Sequence, residues 1–525
     1  MRQPPLHVAC AKTVSEDAEE TELRLGTSAS AAAKLWKSAA LASFGVAIPR
    51  VRKLVSVYWD TPDLRLRDRG LALRVRRIDA GGWIQTLKAD SADVDTRREY
   101  EGPLPDGQPD LQVARACGWS GDASVIAVEQ NLRPIFSTRI VRTARDVRFD
   151  DGTVAEVALD RGAITLERRR RAPRERVLEI EIELTTGRAS RLYELAYRLV
   201  AELPSTRLLL ASKSARGYRL LTGSPIPARR AHDVEIPRRS SAAMIGYRAF
   251  AESLAHVQGN VERVQRTADA EGVHQMRVGV RRLRVAAGIG RKAGLSALSN
   301  PIVDELRWVW NLLGNSRDAD VFATETWPQI KREAPDAAAS TVGFEANVAT
   351  LRKTTQRELR RALASRRFQF IMLSLGWIAT LQREALAACP RKPGPKHLAR
   401  QVLSRRAKRI VDIDVNHLTD ERRHRLRIDA KKLRYLAEFL APLYGRRETG
   451  RYLQRLAAVQ TTLGGLNDLT AIKHWVEIAA ATLPARERRL VARTCSDYAV
   501  ERAPVLARQL ADAWRSLGRT PPFWI

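Results

Sequence analysis

The polarity pattern of this chain changes its period near residue 220. Before that point, short segments alternate polar and apolar residues with a period of two, as strands do when one face is buried. Turn residues such as Asp79-Ala80-Gly81-Gly82 separate them, and a helical segment, Ala189–Glu202, stops before Pro204. The clearest predicted strands are Glu20–Gly26, Leu54–Thr61, Leu71–Asp79, Trp83–Ala89, Arg97–Leu104 and Arg176–Leu184.

From about Ser240 the period becomes helical, and prolines are few apart from Pro390–Pro395. Between the two patterns, Ser224-Pro225-Ile226-Pro227 is typical of a linker, because prolines remove backbone donors and disfavour helix. The change of period therefore predicts an α+β multidomain protein. We expect a strand-rich domain before about residue 220, a linker over 223–237 and an all-α domain from about residue 240.

The helical part contains an internal repeat. The segment 274–284, HQMRVGVRRLR, matches the segment 424–434, HRLRIDAKKLR, at an offset of 150 residues. The segments 313–318, LGNSRD, and 463–468, LGGLND, match at the same offset. Two separate motifs in one register predict two copies of one helical bundle. We expect both glycine-aspartate segments to lie at helix ends, with structural capping favoured over contact with a ligand or metal.

Charge narrows the choice of partners. The 525 residues include 90 Lys+Arg and 59 Asp+Glu, a formal net charge of +31. Such a charge favours an anionic partner, namely nucleic acid, an anionic membrane or another polyphosphate. Only 6% of the residues are aromatic, and they do not interleave with the basic clusters. Nucleic acid is therefore the weaker alternative, since single strands stack their bases on aromatic rings.

The cysteines and apolar segments bear on the compartment. Cys10, Cys117, Cys389 and Cys495 lie far apart without CxxC spacing, which favours a reducing compartment and no structural zinc. We find no secretory signal pattern and no apolar segment of membrane-spanning length. The expectation is a cytoplasmic protein without a membrane span. The sequence leaves the oligomeric state open.

Charged side chains cluster on the predicted strand faces, because side chains alternate along a strand. Two carboxylates about 4 Å apart repel by roughly 4 kcal/mol at an effective dielectric constant near 20, so an acidic row needs a cation or strong solvation. One interpretation is a solvated charged face. The other is a metal-binding carboxylate cluster beside a phosphate-binding cationic cluster, which suits metal-assisted phosphoryl transfer. The residues concerned are Glu20, Glu22 and Arg24, then Glu179, Glu181 and Glu183, and finally Arg74, Arg76 and Lys88.

The segment Glu20-x-Glu22-x-Arg24 resembles the ExExK signature of the CYTH, or triphosphate tunnel metalloenzyme, family. Eight further blocks follow in the order of that family, and the resemblance covers about residues 15–222. The blocks are Tyr58–Asp63, Leu73–Arg76, Trp83–Lys88, Arg98–Glu101, Phe136–Arg139, Glu156–Asp160 with Glu179–Glu183, and Ser212–Tyr218.

The resemblance implies an eight-stranded antiparallel β tunnel, or closed barrel, with flanking helices and its polar side inward. It also implies a hydrolase that cleaves the terminal phosphoanhydride of a triphosphate with Mg²⁺ or Mn²⁺. The implied catalytic residues are Glu20, Glu22 and Arg24, and the implied metal ligands are Glu20, Glu22, Asp160, Glu179, Glu181 and Glu183. The implied substrate-binding residues are Arg74, Arg76, Lys88, Arg139 and Lys213.

One position departs from the family pattern. The lysine of ExExK is Arg24 here, which keeps the charge but adds bulk and cannot deprotonate. If that position protonates the leaving group or orders a water, the activity is reduced. If it only binds phosphate, arginine can serve.

The repeated helices present basic faces. At about 100° per residue, the four basic positions of each copy fall within an arc of about 80°. For one such helix a solvated face would be the simpler interpretation, but two copies in a chain of this charge favour an anion-binding surface. These positions are His274, Arg277, Arg281 and Arg284, and His424, Arg427, Lys431 and Arg434.

The two segments resemble the CHAD domain family over about residues 238–515. The resemblance implies two pseudo-symmetric four-helix bundles around a basic groove that binds inorganic polyphosphate. We therefore expect an inorganic triphosphatase acting on tripolyphosphate, attached to a domain that binds long-chain polyphosphate and places the protein at polyphosphate granules. The alternatives are a polyphosphate-binding protein without hydrolysis, or an enzyme acting on thiamine triphosphate or ATP.

Overall fold

A computed structural model describes the fold. The described residues are 19–77, 82–89, 96–116, 131–166, 173–224, 226–237, 240–295, 299–335, 341–386, 394–411 and 413–525. The predicted turn at Asp79–Gly81 and the cysteines Cys10, Cys117 and Cys389 lie outside them. The chain divides into two compact units. The first contains the described residues up to Pro227 and the segment Arg366–Thr380, and the second contains the rest.

The first unit is built on one antiparallel sheet. Its strands are β1 (Glu19–Gly26), β2 (Gly45–Val46), β3 (Arg50–Asp60), β4 (Leu71–Arg77), β5 (Trp83–Ala89), β6 (Thr96–Leu104), β7 (Arg133–Arg148), β8 (Val154–Leu166), β9 (Arg174–Thr186) and β10 (Arg207–Leu208). Eight of them follow one another in the order β1-β6-β5-β4-β3-β7-β8-β9. The last, β9, pairs again with β1, so the sheet closes on itself. This confirms the predicted eight-stranded barrel; β10 and β2 are short additions on β1 and β7.

The alternation of side chains decides which face of the barrel is charged. Leu23 and Leu25 of β1 and Ile180 and Ile182 of β9 are buried in an apolar cluster on the outside of the sheet. The same cluster contains the apolar face of the helix Ser190–Glu202. Because neighbouring positions point the opposite way, the glutamates between these residues face the barrel interior.

Short helices flank the barrel. They are α1 (Ala29–Lys34), α2 (Ala39–Ala42), α3 (Arg65–Asp68), α4 (Leu111–Ala116), α5 (Ser190–Glu202) and α6 (Lys213–Thr222). The predicted helix at 189–202 corresponds to α5. The side chain of Ser212 caps α6 by accepting a hydrogen bond from the Ala215 amide, which fixes where Lys213 enters the helix.

The second unit is helical. Its helices are α7 (Ala242–Thr267), α8 (Ala270–Lys292), α9 (Asn300–Val321), α10 (Trp327–Glu333), α11 (Val342–Ala364), α13 (Pro395–Val411), α14 (Asp420–Leu440), α15 (Arg446–Ala479) and α16 (Ala485–Gly518). The helix between α11 and α13, α12 (Arg366–Ala385), belongs mostly to the first unit.

The internal repeat is visible in the helix boundaries. Helix α8 begins at Ala270 and α14 at Asp420, 150 residues later. Both are capped by a side chain, Asp269 in the first copy and Thr419 in the second. In each copy, consecutive helices pack against one another, α7 to α8 to α9 to α11 and α13 to α14 to α15 to α16. The predicted duplication of a four-helix unit agrees with this arrangement.

Among the described residues, no helix is both long enough and apolar enough to cross a membrane.

Candidate active site and anion-binding cavity

The barrel encloses a cavity of about 450 Å³ whose lining is dominated by charge. Most of the strands contribute alternate residues, since only one face of a strand points inward, whereas β9 also contributes Leu184 and Thr185 near its end. Its carboxylates are Glu20, Glu22, Glu99, Glu101, Glu156, Asp160, Glu181 and Glu183. Its cations are Arg24, Arg52, Arg74, Arg76, Lys88, Arg142 and Lys213.

One part of this cavity is a compensated acidic cluster around Lys213. The Lys213 ammonium lies 2.8 Å from Asp160, 2.5 Å from Glu179 and 2.6 Å from Glu181. Burial by itself would lower the pKa of Lys213, but these carboxylates outweigh it and the pKa is raised. Arg142 donates two hydrogen bonds of 2.8 Å to Asp160 and also contacts Glu181.

A second acidic group comes from β1 and its neighbours. Arg24 donates a hydrogen bond of 2.5 Å to Glu22. Lys88, reaching across from β5, lies 2.5 Å from Glu20 and 3.5 Å from Glu99. This part of the cavity therefore pairs two cations with three carboxylates.

Glu183 lies beside this second group and is a fourth carboxylate, without a cation of its own in the described part of the chain. It stands opposite Glu22 in the pairing of β9 with β1, and among the described residues it makes no ion pair within 4.0 Å. Burial, followed by the negative charge of Glu20, raises the pKa of Glu183 to about 7. Both causes disfavour the ionised form of Glu183.

Arg76 is the converse case, a partly buried cation without a paired carboxylate in the described part of the chain. Its Nε donates a hydrogen bond of 3.1 Å to the Ser56 hydroxyl, and no carboxylate in the described part of the chain pairs with it within 4.0 Å. Burial, followed by the charges of Arg74 and Arg142, lowers the pKa of Arg76 to about 10. An anion beside Arg76 would relieve this positive charge.

The helical unit has a cavity of about 340 Å³ lined by both copies of the repeat. Helix α8 contributes His274, Arg277 and Arg281, and α14 contributes His424, Arg427 and Lys431. We call this the central cavity. Asp318 and Asp468 also line it, and Arg277 donates a hydrogen bond of 2.8 Å to Asp318.

Positive charge in the central cavity exceeds what its carboxylates neutralise. Burial, followed by Arg281 and Arg427, lowers the pKa of Lys431 to about 6. Burial and Arg317 lower the pKa of His274. Both groups are therefore destabilised as cations in the absence of a bound anion.

Comparison with known proteins identifies the domains that contain these two cavities. Residues 18–218 match the CYTH domain family and residues 248–477 match the CHAD domain family. The chain carries a CYTH domain followed by a CHAD domain. Among curated proteins, two uncharacterized proteins from two strains of Mycobacterium tuberculosis are 25% identical over 497 residues, which is 89% of this chain and 90% of theirs.

Solved structures resemble the domains separately. The CHAD domain of Ricinus communis is 27% identical and covers 56% of this chain and 99% of its own, with a TM-score of 0.47. A candidate adenylyl cyclase of Hippeastrum, described as revealing a dominant triphosphatase activity, is 19% identical and covers 40% of this chain and 98% of its own, with a TM-score of 0.26. A candidate adenylate cyclase of Bacillus halodurans is 16% identical over 38% of this chain and 98% of its own, with a TM-score of 0.25.

In the CYTH domain, the structure brings most of the predicted site residues to one cavity. Glu20, Glu22, Arg24, Arg74, Arg76, Lys88, Asp160, Glu181, Glu183 and Lys213 all line it. Glu179 is buried at its edge, where Arg216 donates to it a hydrogen bond of 2.6 Å. Arg139 does not line the cavity and is exposed, because Thr138 and Ile140 on either side of it are the inward positions of β7.

Sequence reasoning missed several cavity residues, chiefly Arg52, Glu101 and Arg142. Glu101 belongs to a block already quoted for the family resemblance. Arg142 could have been found by following the alternation of β7 from Thr138 through Ile140. Arg52 lies beyond the predicted start of its strand, since β3 begins at Arg50.

In the CHAD domain, two predicted residues lie outside the central cavity. Arg434 instead donates a hydrogen bond of 2.7 Å to Glu438, one helical turn further along α14. Arg284 lines a neighbouring pocket. The aromatic residues are also closer to the basic groups than the sequence suggested, because the guanidinium groups of Arg277 and Arg281 lie 4.7 and 4.5 Å from the Trp310 ring centre.

The prediction that the glycine-aspartate segments end helices is wrong. Segment 313–318 lies inside α9, and segment 463–468 lies inside α15. A Cβ added at Gly314 would lie 3.7 Å from the Arg277 guanidinium, which is an ordinary van der Waals contact. The aspartates that follow face the central cavity.

The carboxylates of the CYTH domain fit a divalent cation by their chemistry. Oxygens of Asp160, Glu179 and Glu181 lie within 4.8 Å of one another, which suits a hard cation. Lys213 already contacts all three, so a metal there would have to displace its ammonium. Glu183 makes no ion pair in the described part of the chain, but Glu20 and Glu22 beside it are held by Lys88 and Arg24, so a metal bound by these three would also have to displace cations.

Proposed function

We propose that the CYTH domain is a metal-dependent triphosphatase that hydrolyses inorganic tripolyphosphate, and that the CHAD domain binds long-chain inorganic polyphosphate. One observation carries the enzymatic part. The barrel cavity contains a carboxylate without a cation, Glu183, and cations without a carboxylate, Arg76 and Arg52, in the described structure. A metal–triphosphate complex supplies both missing charges.

Glu20, Glu22 and Glu183 would hold the divalent metal, Mg²⁺ or Mn²⁺. When bound, the metal would neutralise charge on the phosphate oxygens and favour attack by water. In this arrangement Lys213 remains ion-paired with Asp160, Glu179 and Glu181. If the Lys213 ammonium binds the substrate instead, these three carboxylates would be free to bind a second metal.

The cationic side chains would bind and orient the triphosphate. Arg74 and Arg76 project from adjacent inward positions of β4, and their planar guanidinium groups can each bind phosphate through two hydrogen bonds. Arg142 and Arg52 add positive charge from β7 and β3. Donors fixed in this way stabilise the charge that develops on the leaving phosphate.

Arg24 has a defined role in this proposal. It holds Glu22 through a hydrogen bond of 2.5 Å and donates a second one of 3.4 Å to the Leu210 carbonyl. Burial opposes its charge, but Glu22 and the other carboxylates outweigh burial and raise the pKa of Arg24. Arg24 therefore positions a metal ligand and does not donate a proton.

A substrate panel tests the proposal. Purified full-length protein is incubated with tripolyphosphate, ATP, thiamine triphosphate or long-chain polyphosphate, each with Mg²⁺ or Mn²⁺, and released phosphate is measured. We expect tripolyphosphate to be the preferred substrate and Glu20→Ala/Glu22→Ala to abolish release. Absence of release from every substrate by the intact protein would reject the enzymatic part.

A second candidate is a polyphosphate-binding protein without hydrolysis, which would be found at polyphosphate granules. The ion pair between Arg24 and Glu22 favours it, because it engages a carboxylate that the metal needs. The variant Arg24→Lys separates the two candidates. If the wild-type protein is inactive and the Arg24→Lys variant has triphosphatase activity, then Arg24 prevents hydrolysis and the wild-type domain only binds its ligand.

The CHAD part rests on the central cavity. Six basic positions from two helices meet there, and burial together with the charges of Arg281 and Arg427 lowers the pKa of Lys431 to about 6. Polyphosphate has one charge per phosphate and no bases to read, so it needs this density of charge and little aromatic surface. Binding should weaken steeply with salt, as counterion release requires. Competition with RNA at physiological salt tests the nucleic-acid alternative.

A further inference from the structure

A second basic pocket lies beside the central cavity in the CHAD domain. Its volume is about 410 Å³, and helices α8, α13 and α14 line it. We call it the outer basic pocket. Its cations are Arg281, Arg284, Arg291, Lys292, Arg405, Arg406, Arg409 and Lys432, and the described lining contains no carboxylate.

The charges of the outer basic pocket are poorly compensated. Asp429 pairs with Arg406 at 2.7 Å. Burial, followed by Arg405 and Arg291, lowers the pKa of Lys292. Burial, followed by Arg406, lowers the pKa of Lys432 despite the nearby Asp429. So many cations around one concave surface repel one another unless an anion enters.

The internal repeat shows that the fold does not require this pocket. At the offset of 150 residues, Arg405, Arg406 and Arg409 of α13 correspond to Ala255, His256 and Gly259 of α7. Val402 corresponds to Glu252, which forms an ion pair with Arg229 at 3.3 Å. The first copy thus builds the same helix pair without a basic cluster.

Gly288 is the residue that keeps the outer basic pocket open. A Cβ added at Gly288 would meet no atom within 4 Å. Its counterpart in the repeat is Glu438, whose side chain accepts hydrogen bonds of 2.5 Å from Arg282 and 2.7 Å from Arg434. Where one copy has a carboxylate that neutralises its arginines, the other has a glycine and empty space.

Arg281 connects the two anion sites, since it lines both the central cavity and the outer basic pocket. We propose that the outer basic pocket is a second subsite for the polyphosphate chain, which continues into it from the central cavity past Arg281. This inference rests on the proposed polyphosphate binding of the CHAD domain. It adds chain-length selectivity, because a chain long enough to occupy both sites forms ion pairs that a short one cannot form.

The variant Gly288→Leu tests whether the outer basic pocket binds the chain, and it does so without changing any charge. The leucine side chain would project into the open space of the pocket, and replacing a glycine inside a helix favours the helix by roughly 1 kcal/mol, so folding should be preserved. The control is Gly450→Leu, at an exposed glycine of α15 that also has nothing within 4 Å of an added Cβ. A third protein, Arg277→Gln/Arg427→Gln, weakens the central cavity alone.

Binding of long-chain polyphosphate to each full-length protein is measured by calorimetry over a series of salt concentrations. We expect Gly288→Leu to weaken binding on the order of tenfold. The slope of log affinity against log salt should become shallower by about 2, because roughly three phosphates of the chain would no longer be neutralised by the protein. Gly450→Leu should bind as the wild type does.

Two other outcomes overturn the inference and can be told apart. If Gly288→Leu binds like the wild type while Arg277→Gln/Arg427→Gln binds weakly, only the second subsite is rejected. If the wild type does not bind the chain at all, the proposed function of the CHAD domain fails as well. Should Gly288→Leu not fold, as judged by circular dichroism, the exposed pair Arg405→Gln/Arg409→Gln gives the same comparison.

Discussion

The unpaired carboxylate of Glu183 predicts that the CYTH domain loses stability as the pH rises in the absence of metal. Its pKa is raised from 4.5 to about 7 in the folded protein. Between these two values the folded state holds a proton that the unfolded state releases, so raising the pH through this window favours unfolding. The shift corresponds to about 3 kcal/mol between pH 4 and pH 8.

The variant Glu183→Gln keeps the shape of the protonated acid and removes the titration. We expect it to match the wild type at pH 4 and to be more stable by up to about 3 kcal/mol at pH 8. Amide hydrogen exchange of peptides from β1 and β9 measures this locally, with both proteins compared at each pH so that intrinsic exchange rates cancel. The variant Glu183→Asp, which keeps a carboxylate, should retain the pH dependence of the wild type.

Metal provides the complementary measurement. At pH 8 the ionised Glu183 is available as a ligand, so Mg²⁺ or Mn²⁺ should protect β1 and β9 from exchange in the wild type and much less in Glu183→Gln. A difference between wild type and Glu183→Gln that stays constant from pH 5 to pH 8 would refute the reasoning about the uncompensated charge.

Three further predictions follow from the same structure. Lys213→Met should destabilise the CYTH domain by about 3–5 kcal/mol in thermal unfolding, because it leaves Asp160, Glu179 and Glu181 without their shared cation, whereas Lys213→Arg should recover part of the loss. Polyphosphate binding should tighten as the pH falls from 7 to 5, because Lys431, whose pKa is lowered to about 6, gains a proton; in Lys431→Met, calorimetry should show a smaller change. Gly162→Ala should destabilise the barrel by about 3 kcal/mol or prevent folding, since its Cβ would lie 1.9 Å from the Arg139 carbonyl oxygen, while Gly82→Ala, with open space around it, should be neutral.

Some features of this protein could be predicted from the sequence because they depend on local periodicity. The change of period near residue 220 separates strands from helices, and the offset of 150 residues predicts the duplicated helical unit. Alternation along β1 and β9 already places Glu20 and Glu22 on one face and Glu181 and Glu183 on one face. The order of family blocks then indicates closure of the barrel and the charge of its interior.

The tertiary structure decided which of these charges meet and which remain without a partner. Closure pairs β1 with β9, which sets Glu22 opposite Glu183, and Lys88 reaches Glu20 from β5. Whether a charge is compensated depends on distances of a few ångströms between strands far apart in the chain, and no local pattern contains them.

The tertiary structure also decided the positions of the residues that the sequence placed incorrectly. Arg139 and Arg142 are both arginines of one strand, but only the register of β7 in the closed barrel shows that Arg142 faces inward. The sequence predicts Gly314 at a helix end, yet Gly314 lies inside α9. Gly288, inside α8, faces open space, and only the packing of the neighbouring helices shows this.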